Sequence, residues 1–372
     1  MRILEIIPLF TDGGAERFAV DISSEFSNNG HSVHISSLFA RDAEGMKYFP
    51  DWDERIGRSY LDKKMGLDYR LLNRLDVLIK NFRPDIIHTH LRVLNYIALV
   101  QLFSRRKAQV VHTVHNHAPE EVFGFKERSF RWCLYRSKLV HPVTISQVSD
   151  ESFSAFYPGM KAKRIDNGRS FPEKTERFGE VVQWFKEKRN SFGSGVQIWV
   201  NIGRLTPQKN QVVLVEAFSE LVKSGHNGLL IILGTERPPW SDSITEGIKP
   251  FLSDRILWLG GKSNATDYMH LADHFVLSSL YEGMPISLIE AMATACLPVC
   301  TAVGGIPEMI DPYGVMIQGT EMGMVLEGLK AASALSSEEK RGRTEALMAR
   351  YEERYSLRRS AEAYLDHFNQ LL

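Results

Sequence analysis

Seven residues separate Glu282 from Glu290 in the stretch YEGMPISLIEAMATACLPV, residues 281–299. Pro285 sits where a helix should begin, since its missing N–H would be unbonded there anyway. Gly283 lets the backbone approach a ligand closely. A loop that follows a strand and opens a helix delivers free N–H groups and the positive end of the helix dipole to one point. Phosphate or polar hydroxyls suit such a point. Glu282 precedes the helix and Glu290 lies about two turns inside it, so two carboxylates can reach different parts of one elongated ligand. The spacing alone would equally describe a capped amphipathic helix with two solvated acids.

A second loop, NIGRLTPQKN, covers residues 201–210. Arg204 offers planar two-point hydrogen bonding and Lys209 a mobile point charge. Together they can clamp a diphosphate and neutralise it as it leaves, without a metal. The bland alternative is a solvated basic loop. In TDGGAER, residues 11–17, Gly13 and Gly14 permit a backbone turn but do not make the G-x-G-x-x-G dinucleotide fingerprint.

Five histidines cluster at two strand ends: His88 and His90 in DIIHTH, and His112, His115 and His117 in VVHTVHNH. They invite a zinc reading, but no carboxylate or cysteine set is evident to complete it. Ligands of parallel sheets bind at carboxyl strand ends, where these histidines lie. RIDNGRSF, residues 164–171, places Asn167 in a turn. KERSFRWCLYRSK, residues 126–138, mixes five basic residues with aromatic ones. It fits a helix lying on an anionic membrane, or a core-packed helix with a basic outer face.

Those residues must be held by alternating strands and helices. RILEIIP (2–8) reads as a buried strand, followed by a helix from about Ala15 to Asn28 and a strand over His31–Leu38. Further strands are expected at Asp85–His90, Gln109–Val114, Val140–Ser146 and Lys163–Asn167, with a helix from about Val93. Residues 172–195 are charged and end in glycine and serine, which predicts an inter-domain segment with one short helix. The alternation resumes with VQIWVNIG from Val196. It continues through a helix over Gln211–Lys223 and strands at GLLIILG, Arg255–Leu259, His274–Ser278 and LPVCTA, with helices at Ala265–Ala272 and about Ile286–Ala295. Two α/β units with doubly wound parallel sheets follow. Apolar residues at 357, 361, 364, 365, 368 and 371 make one face of a last helix, which must pack somewhere.

The chain has 372 residues, is 24% charged, and carries no formal net charge. No global field points to nucleic acid. Residues 1–171 hold 25 Lys+Arg and 20 Asp+Glu, against 45−25 = 20 and 45−20 = 25 in the remainder. The first half is thus mildly basic, which favours an anionic partner or membrane surface. Three cysteines, Cys133, Cys296 and Cys300, make no paired framework and suit a reducing compartment. No apolar run approaches the length needed to span a bilayer. A cytoplasmic protein is expected, peripheral at most to an inner membrane face.

EGMPISLIEAMA and GRLTPQKN resemble the motifs of the retaining glycosyltransferase family GT4, built on the GT-B fold. The resemblance covers most of the chain and is strongest over 196–310. It implies two Rossmann-like domains facing a cleft. Residues 1–170 would form the acceptor-side domain, 171–195 the inter-domain segment and 196–355 the nucleotide-sugar domain, with a helix at 356–372 crossing back to the N-terminal domain.

The resemblance also assigns roles. Glu282 and His115 would lie at the transferred sugar, with Gly283, Met284, Pro285 and Ile286 holding its hydroxyls and phosphate. Arg204, Lys209 and Gly14 would border the diphosphate, and Glu290 would meet the ribose. Asn210 departs from a more usual glycine, and the segment around Asn167 lacks the family's proline and aspartate. The implied reaction moves a sugar from a nucleoside diphosphate sugar to a hydroxyl of a glycan or lipid-linked glycan, with no cofactor and no metal. Two rivals stand beside it. A sugar-nucleotide epimerase would need carboxylates set for proton removal, and these are not evident. A catalytically silent binding subunit would have no need of all five polar residues.

Overall fold

The computed structural model describes every residue except 11–12, 42–52, 67, 104–107, 116 and 237–240. The chain divides into two compact units, Met1–Ser170 with Arg354–Leu372, and Phe171–Glu353.

In the first unit β1 (Arg2–Ile7), β2 (Ser32–Ser37), β3 (Gly57–Tyr60), β4 (Ile86–His90), β5 (Gln109–Val114), β6 (His141–Thr144) and β7 (Lys163–Arg164) form one sheet. Its order is β3-β2-β1-β4-β5-β6-β7, with every pairing parallel. Helices cover both faces, so β1 and β4 are buried along nearly their whole length. The order reverses between β1 and β4, where Glu5 pairs with His88. Such a switch point opens a crevice at the carboxyl strand ends.

In the second unit β8 (Gln197–Ile202), β9 (Gly228–Leu233), β10 (Ile256–Trp258), β11 (His274–Leu277), β12 (Leu297–Thr301) and β13 (Val315–Ile317) run β10-β9-β8-β11-β12-β13. All pairings are again parallel. The switch lies between β8 and β11, so the loops after these strands share one end of the sheet.

The helix Leu357–Leu371 lies in the first unit. Its Leu357, Ala361, Tyr364, Leu365 and Phe368 join the core with Phe18 and Phe26 of the helix Gly14–Asn28. Each of the larger side chains contributes roughly 1.5–3 kcal/mol by burial. The Phe26 and Phe368 ring centroids are 5.6 Å apart. The approach is tight at Gly168, where a Cβ would stand 2.5 Å from the Ser356 carbonyl oxygen.

Residues 171–195, expected as an inter-domain segment with one short helix, belong to the second unit. The helix Phe178–Phe192 buries Val181 and Phe185, and Asp267 accepts from the Thr175 backbone N–H (3.0 Å) and hydroxyl (2.6 Å). The charged residues that suggested a linker surround this narrow apolar stripe. The helix at Ile286 ends at Ala293, shortly before Ala295 with φ +56°. Among the described residues, no helix is long and apolar enough to cross a membrane.

Candidate functional site

In the second unit, residues 278–285 follow β11 and lead into the helix Ile286–Ala293. Glu282 is buried in this loop. Its Oε1 accepts from Lys209 Nζ at 2.5 Å and from Ser279 Oγ at 2.6 Å. The loop after β8 is stitched to the same place. Ser278 Oγ donates to the Lys209 carbonyl (3.0 Å), the Leu280 N–H to the Gln208 carbonyl (2.8 Å), and Gln208 Nε2 to the Tyr281 carbonyl (2.9 Å). The two motifs found in sequence are therefore one structure. Lys209 is not the mobile point charge of the sequence reading, because Glu282 already holds it. Arg204 is exposed on the same loop.

Pro285 caps the helix with extended backbone (φ −71°, ψ 121°), so it stands at the cap and not at the first helical position. Its carbonyl accepts from the Leu288 N–H at 3.1 Å. No side chain caps this end, where the first N–H groups of a helix have no intrahelical acceptor. Met284 and Pro285 are buried, and Gly283 and Ile286 are half-buried. Glu290 is buried little more than one turn into the helix, and not two, its carbonyl accepting from the Thr294 N–H and hydroxyl. Asn210 is left-handed (φ +54°), and its Nδ2 donates to the Thr320 carbonyl at 2.9 Å. That conformation favours glycine and, next to it, asparagine. The sequence departure thus falls where backbone shape matters, and not at a position that merely opens a helix.

Sequence reasoning missed Val303–Pro307, the loop after β12. Gly304 has φ +54°, and the Gly305 N–H donates to the Gly283 carbonyl at 3.1 Å. A glycine pair before a proline at a strand end was the available signal.

In the first unit, Gly14 opens the helix Gly14–Asn28, which also lacks a side-chain cap. Thr11 and Asp12 of that motif lie outside the described residues. His115 directly follows β5 and is 7% exposed. Its Nε2 lies 2.8 Å from His90 Nδ1, while its backbone N–H donates to Glu121 Oε1 at 2.8 Å. His90 Nε2 lies 2.8 Å from Glu5 Oε2, and His88 Nδ1 lies 3.0 Å from Glu5 Oε1. His88 Nε2 reaches Thr113 Oγ1 at 2.7 Å, and that hydroxyl meets Tyr364 OH at 2.8 Å. His112 turns instead to Thr89 and Glu121. His117 caps the short turn Ala118–Glu121 and joins none of these contacts.

Glu5 is the carboxylate that the sequence reading found missing. One atom each from Glu5, His88 and His90 lies within 4.8 Å of the others. Hydrogen bonds within the group account for these atoms. The signal was an acid inside RILEII, a strand buried on both faces, where an unpaired charge costs several kcal/mol. Burial, reinforced by repulsion from neighbouring histidines, pushes the imidazoles of His90 and His115 down to about 3. His88 is driven well below its ordinary value for the same first reason. These rings are neutral at ordinary pH. Burial raises the Glu5 carboxyl, opposed by its hydrogen bond to His90.

The basic helix of the sequence reading spans Gly124–Arg136. Arg131 points inward, 3.0 Å from Glu127 and 3.7 Å from Glu121, so the outer face holds fewer cations than the sequence suggested. Asn167 is buried, and its N–H donates to the Ile145 carbonyl at 3.4 Å. Cys296 and Cys300 are buried and Cys133 is exposed.

Two Rossmann-like parallel-sheet units, with an uncapped helix and a Lys–Glu pair at the strand ends of the second, define the GT-B architecture. Solved structures share it. A glycosyltransferase from Rickettsia africae superposes with TM-score 0.82 at 20% identity, covering 99% of this chain and 98% of that one. Anabaena HepE, solved with UDP and glucose, gives TM-score 0.77 at 16% identity over the full length of both. The family model Glycosyltransferase Family 4 matches residues 12–168, and Glycosyl transferases group 1 matches residues 182–345. The chain belongs to this GT4-type glycosyltransferase family.

Among curated relatives, the Escherichia coli UDP-Gal:alpha-D-GlcNAc-diphosphoundecaprenol alpha-1,3-galactosyltransferase is 26% identical over 64% of this chain. The match spans 63% of that relative's length. The Bacillus anthracis N-acetyl-alpha-D-glucosaminyl L-malate synthase is 22% identical over 80% of this chain and 78% of its own length.

Proposed function

We propose that this protein transfers a sugar from a nucleoside diphosphate sugar, UDP-linked in the first instance, to a hydroxyl of a glycan or lipid-linked glycan, with retained configuration and without a metal. The observation that carries this is the cradle of Glu282, Lys209 and the uncapped helix start at Pro285. An ammonium has three donors. Glu282 occupies one on Lys209, and the others face phosphate oxygens. Arg204 adds a planar two-point contact. With the amides from Gly283 to Ile286, these groups stabilise the charge that builds on the leaving phosphate. Glu282 offers its remaining oxygen to sugar hydroxyls, Glu290 serves the ribose, and Gly14 borders the diphosphate.

The transition state is oxocarbenium-like. The acceptor oxygen attacks from the face that the diphosphate leaves, and its proton passes to the departing phosphate oxygen. Glu282 is ion-paired rather than poised as a nucleophile, which favours this route over a covalent intermediate. The arginine, the lysine and the amides supply the positive charge a metal would otherwise bring. His115 faces the reactive side of the sugar.

The acceptor reading rests on the basic first half and on Phe123 and Phe125, which are strongly exposed beside Lys126 at the start of a helix. Aromatic and cationic side chains together favour an anionic, lipid-bearing surface. That reading places the protein in the cytoplasm, against an inner membrane face. Both family models describe glycosyl transfer, and nothing in the comparisons supports the epimerase alternative. The test is a calorimetric screen of nucleoside diphosphates and their sugars. Mass spectrometry of products then follows, with lipid-linked and free glycan acceptors and with donor alone. Transfer with retained configuration in the presence of a chelator is expected. Isomerised donor without acceptor, or no turnover of any donor, would reject the proposal.

A further inference from the structure

Apart from His115 itself, the chain of contacts from Tyr364 to His115 has no role in the scheme above, although it buries a carboxylate, three imidazoles and two hydroxyls in the core of the first unit. We propose that Glu5, acting through His90, is a positioning residue that locks His115 in a single tautomer, with Nε2 protonated and Nδ1 a bare acceptor. His115 then accepts a hydrogen bond from a sugar hydroxyl and cannot donate one. This rests on the reading of His115 as a donor-sugar contact, and it adds the direction of that contact and the residue that sets it.

The derivation starts from what each group can give. The relay requires Glu5 in its ionised form, held there against its burial by the two imidazole N–H groups, and an ionised carboxylate has lone pairs only. Glu5 Oε1 and Oε2 face His88 Nδ1 and His90 Nε2 at hydrogen-bond distance, so both rings must donate to it. The rings are neutral and carry one N–H each. Having spent it on Glu5, His90 presents Nδ1 as an acceptor. The one group recorded against it among the described residues is His115 Nε2, at 2.8 Å, so that nitrogen carries the hydrogen. His115 Nδ1 is then left without a proton. It has no hydrogen-bond partner among the described residues, in a side chain that is 7% exposed.

The other arm closes consistently. His88 Nε2 must accept, so the Thr113 hydroxyl donates to it and in turn accepts from Tyr364 OH. Every hydrogen in the chain has one place. Phe18 holds the far end edge-on, its ring 5.9 Å from His115 and 6.3 Å from His90, which limits rotation of either imidazole. A protonated Glu5 would reverse the arm to His115, putting a hydrogen on the outward Nδ1. It would then offer a donor where the sugar needs an acceptor.

Long-range proton–nitrogen NMR on histidine-labelled protein tests this without any turnover. Signals are assigned by the loss of His115 in His115→Asn. Wild-type His115 should show Nε2 protonated and Nδ1 bare at pH 7.5. In Glu5→Gln and His90→Phe, verified as folded by circular dichroism, the His115 signals should shift toward a mixture of tautomers. With an active donor, turnover should drop more than tenfold while the donor KM changes less than threefold, and Glu5→Asp should restore part of both the tautomer and the rate. A wild-type His115 protonated at Nδ1, or an unchanged tautomer in the folded variants, would overturn the inference. If no donor turns over at all, the proposed reaction falls, while the NMR result still decides the relay.

Discussion

The α-carbon of Gly304 is so close to Glu282 that a Cβ there would lie 1.7 Å from the Glu282 carbonyl oxygen. Gly304 also has φ +54°, a conformation that side chains disfavour. The loop after β12 therefore fixes the backbone of the residue expected to meet the sugar.

Gly304→Ala should displace Glu282. Backbone cannot give way as a flexible side chain can, so the whole loop must move. Turnover should fall by more than tenfold, with a loss of thermal stability of about 1–3 kcal/mol. Kinetics with a melting curve would test both halves of this expectation. An alanine variant with full activity would show that the position of Glu282 is not set here.

Arg204→Ala and Lys209→Ala should each weaken nucleoside diphosphate binding by about 1.5–3 kcal/mol, as for hydrogen bonds to charged groups. They should differ in stability. Arg204 is exposed, so its loss should leave the melting temperature nearly unchanged. Loss of Lys209 strands the buried Glu282 carboxylate and should destabilise by about 3–5 kcal/mol. Calorimetry and melting on both variants separate the roles. Unchanged binding in both would remove the pair from the site.

Glu282→Gln should lower turnover by more than about tenfold, or 1.4 kcal/mol. An interaction that strengthens in the transition state affects turnover when lost. Glu290→Gln should act chiefly on the donor KM, since a ribose contact changes little as the glycosidic bond breaks. Equal turnover in wild type and Glu282→Gln would refute the sugar contact.

Acid should unfold the first unit early. His90 and His115 have folded values of about 3, far below the ordinary 6.5 of an exposed imidazole. Between those limits the unfolded chain binds protons that the folded one refuses. Stability is therefore complete above pH 6.5 and drains away as pH falls toward 3, by up to about 1.4 kcal/mol per unit for each histidine. The raised Glu5 carboxyl works in the opposite sense, taking up a proton in the folded state, and offsets part of this. Melting curves from pH 7.5 to 5 should show a falling midpoint, with a shallower slope in His90→Phe. A flat profile would mean that these rings are not held neutral.

Most of the strands and the two loops that meet in the second unit were legible, because they depend on local signals. Apolar runs mark buried strands, and a glycine and a proline punctuate the loop that opens a helix. Glu5 escaped because its partners lie more than eighty residues away, and only the sheet order brings β1 beside β4. The ion pair between Lys209 and Glu282 escaped for the same reason, joining two loops that touch only when β8 and β11 are neighbours. The helix Arg70–Phe82 was missed although three leucine or isoleucine residues line its buried face, and the helix Phe178–Phe192 was expected only as one short helix because charge outweighed its narrow stripe.

Tyr364 bonds Thr113 across 251 residues of sequence. The core of the first unit contains both, so it cannot close until the last helix has left the ribosome. At about 5–20 residues per second, some 180 residues of the second unit take roughly 10–40 seconds to emerge. For that interval, Phe18, Phe26 and the buried acid at Glu5 wait without their cover. Synthesis thus inverts the written order: the later unit can complete itself first, and the earlier one waits for residues 354–372.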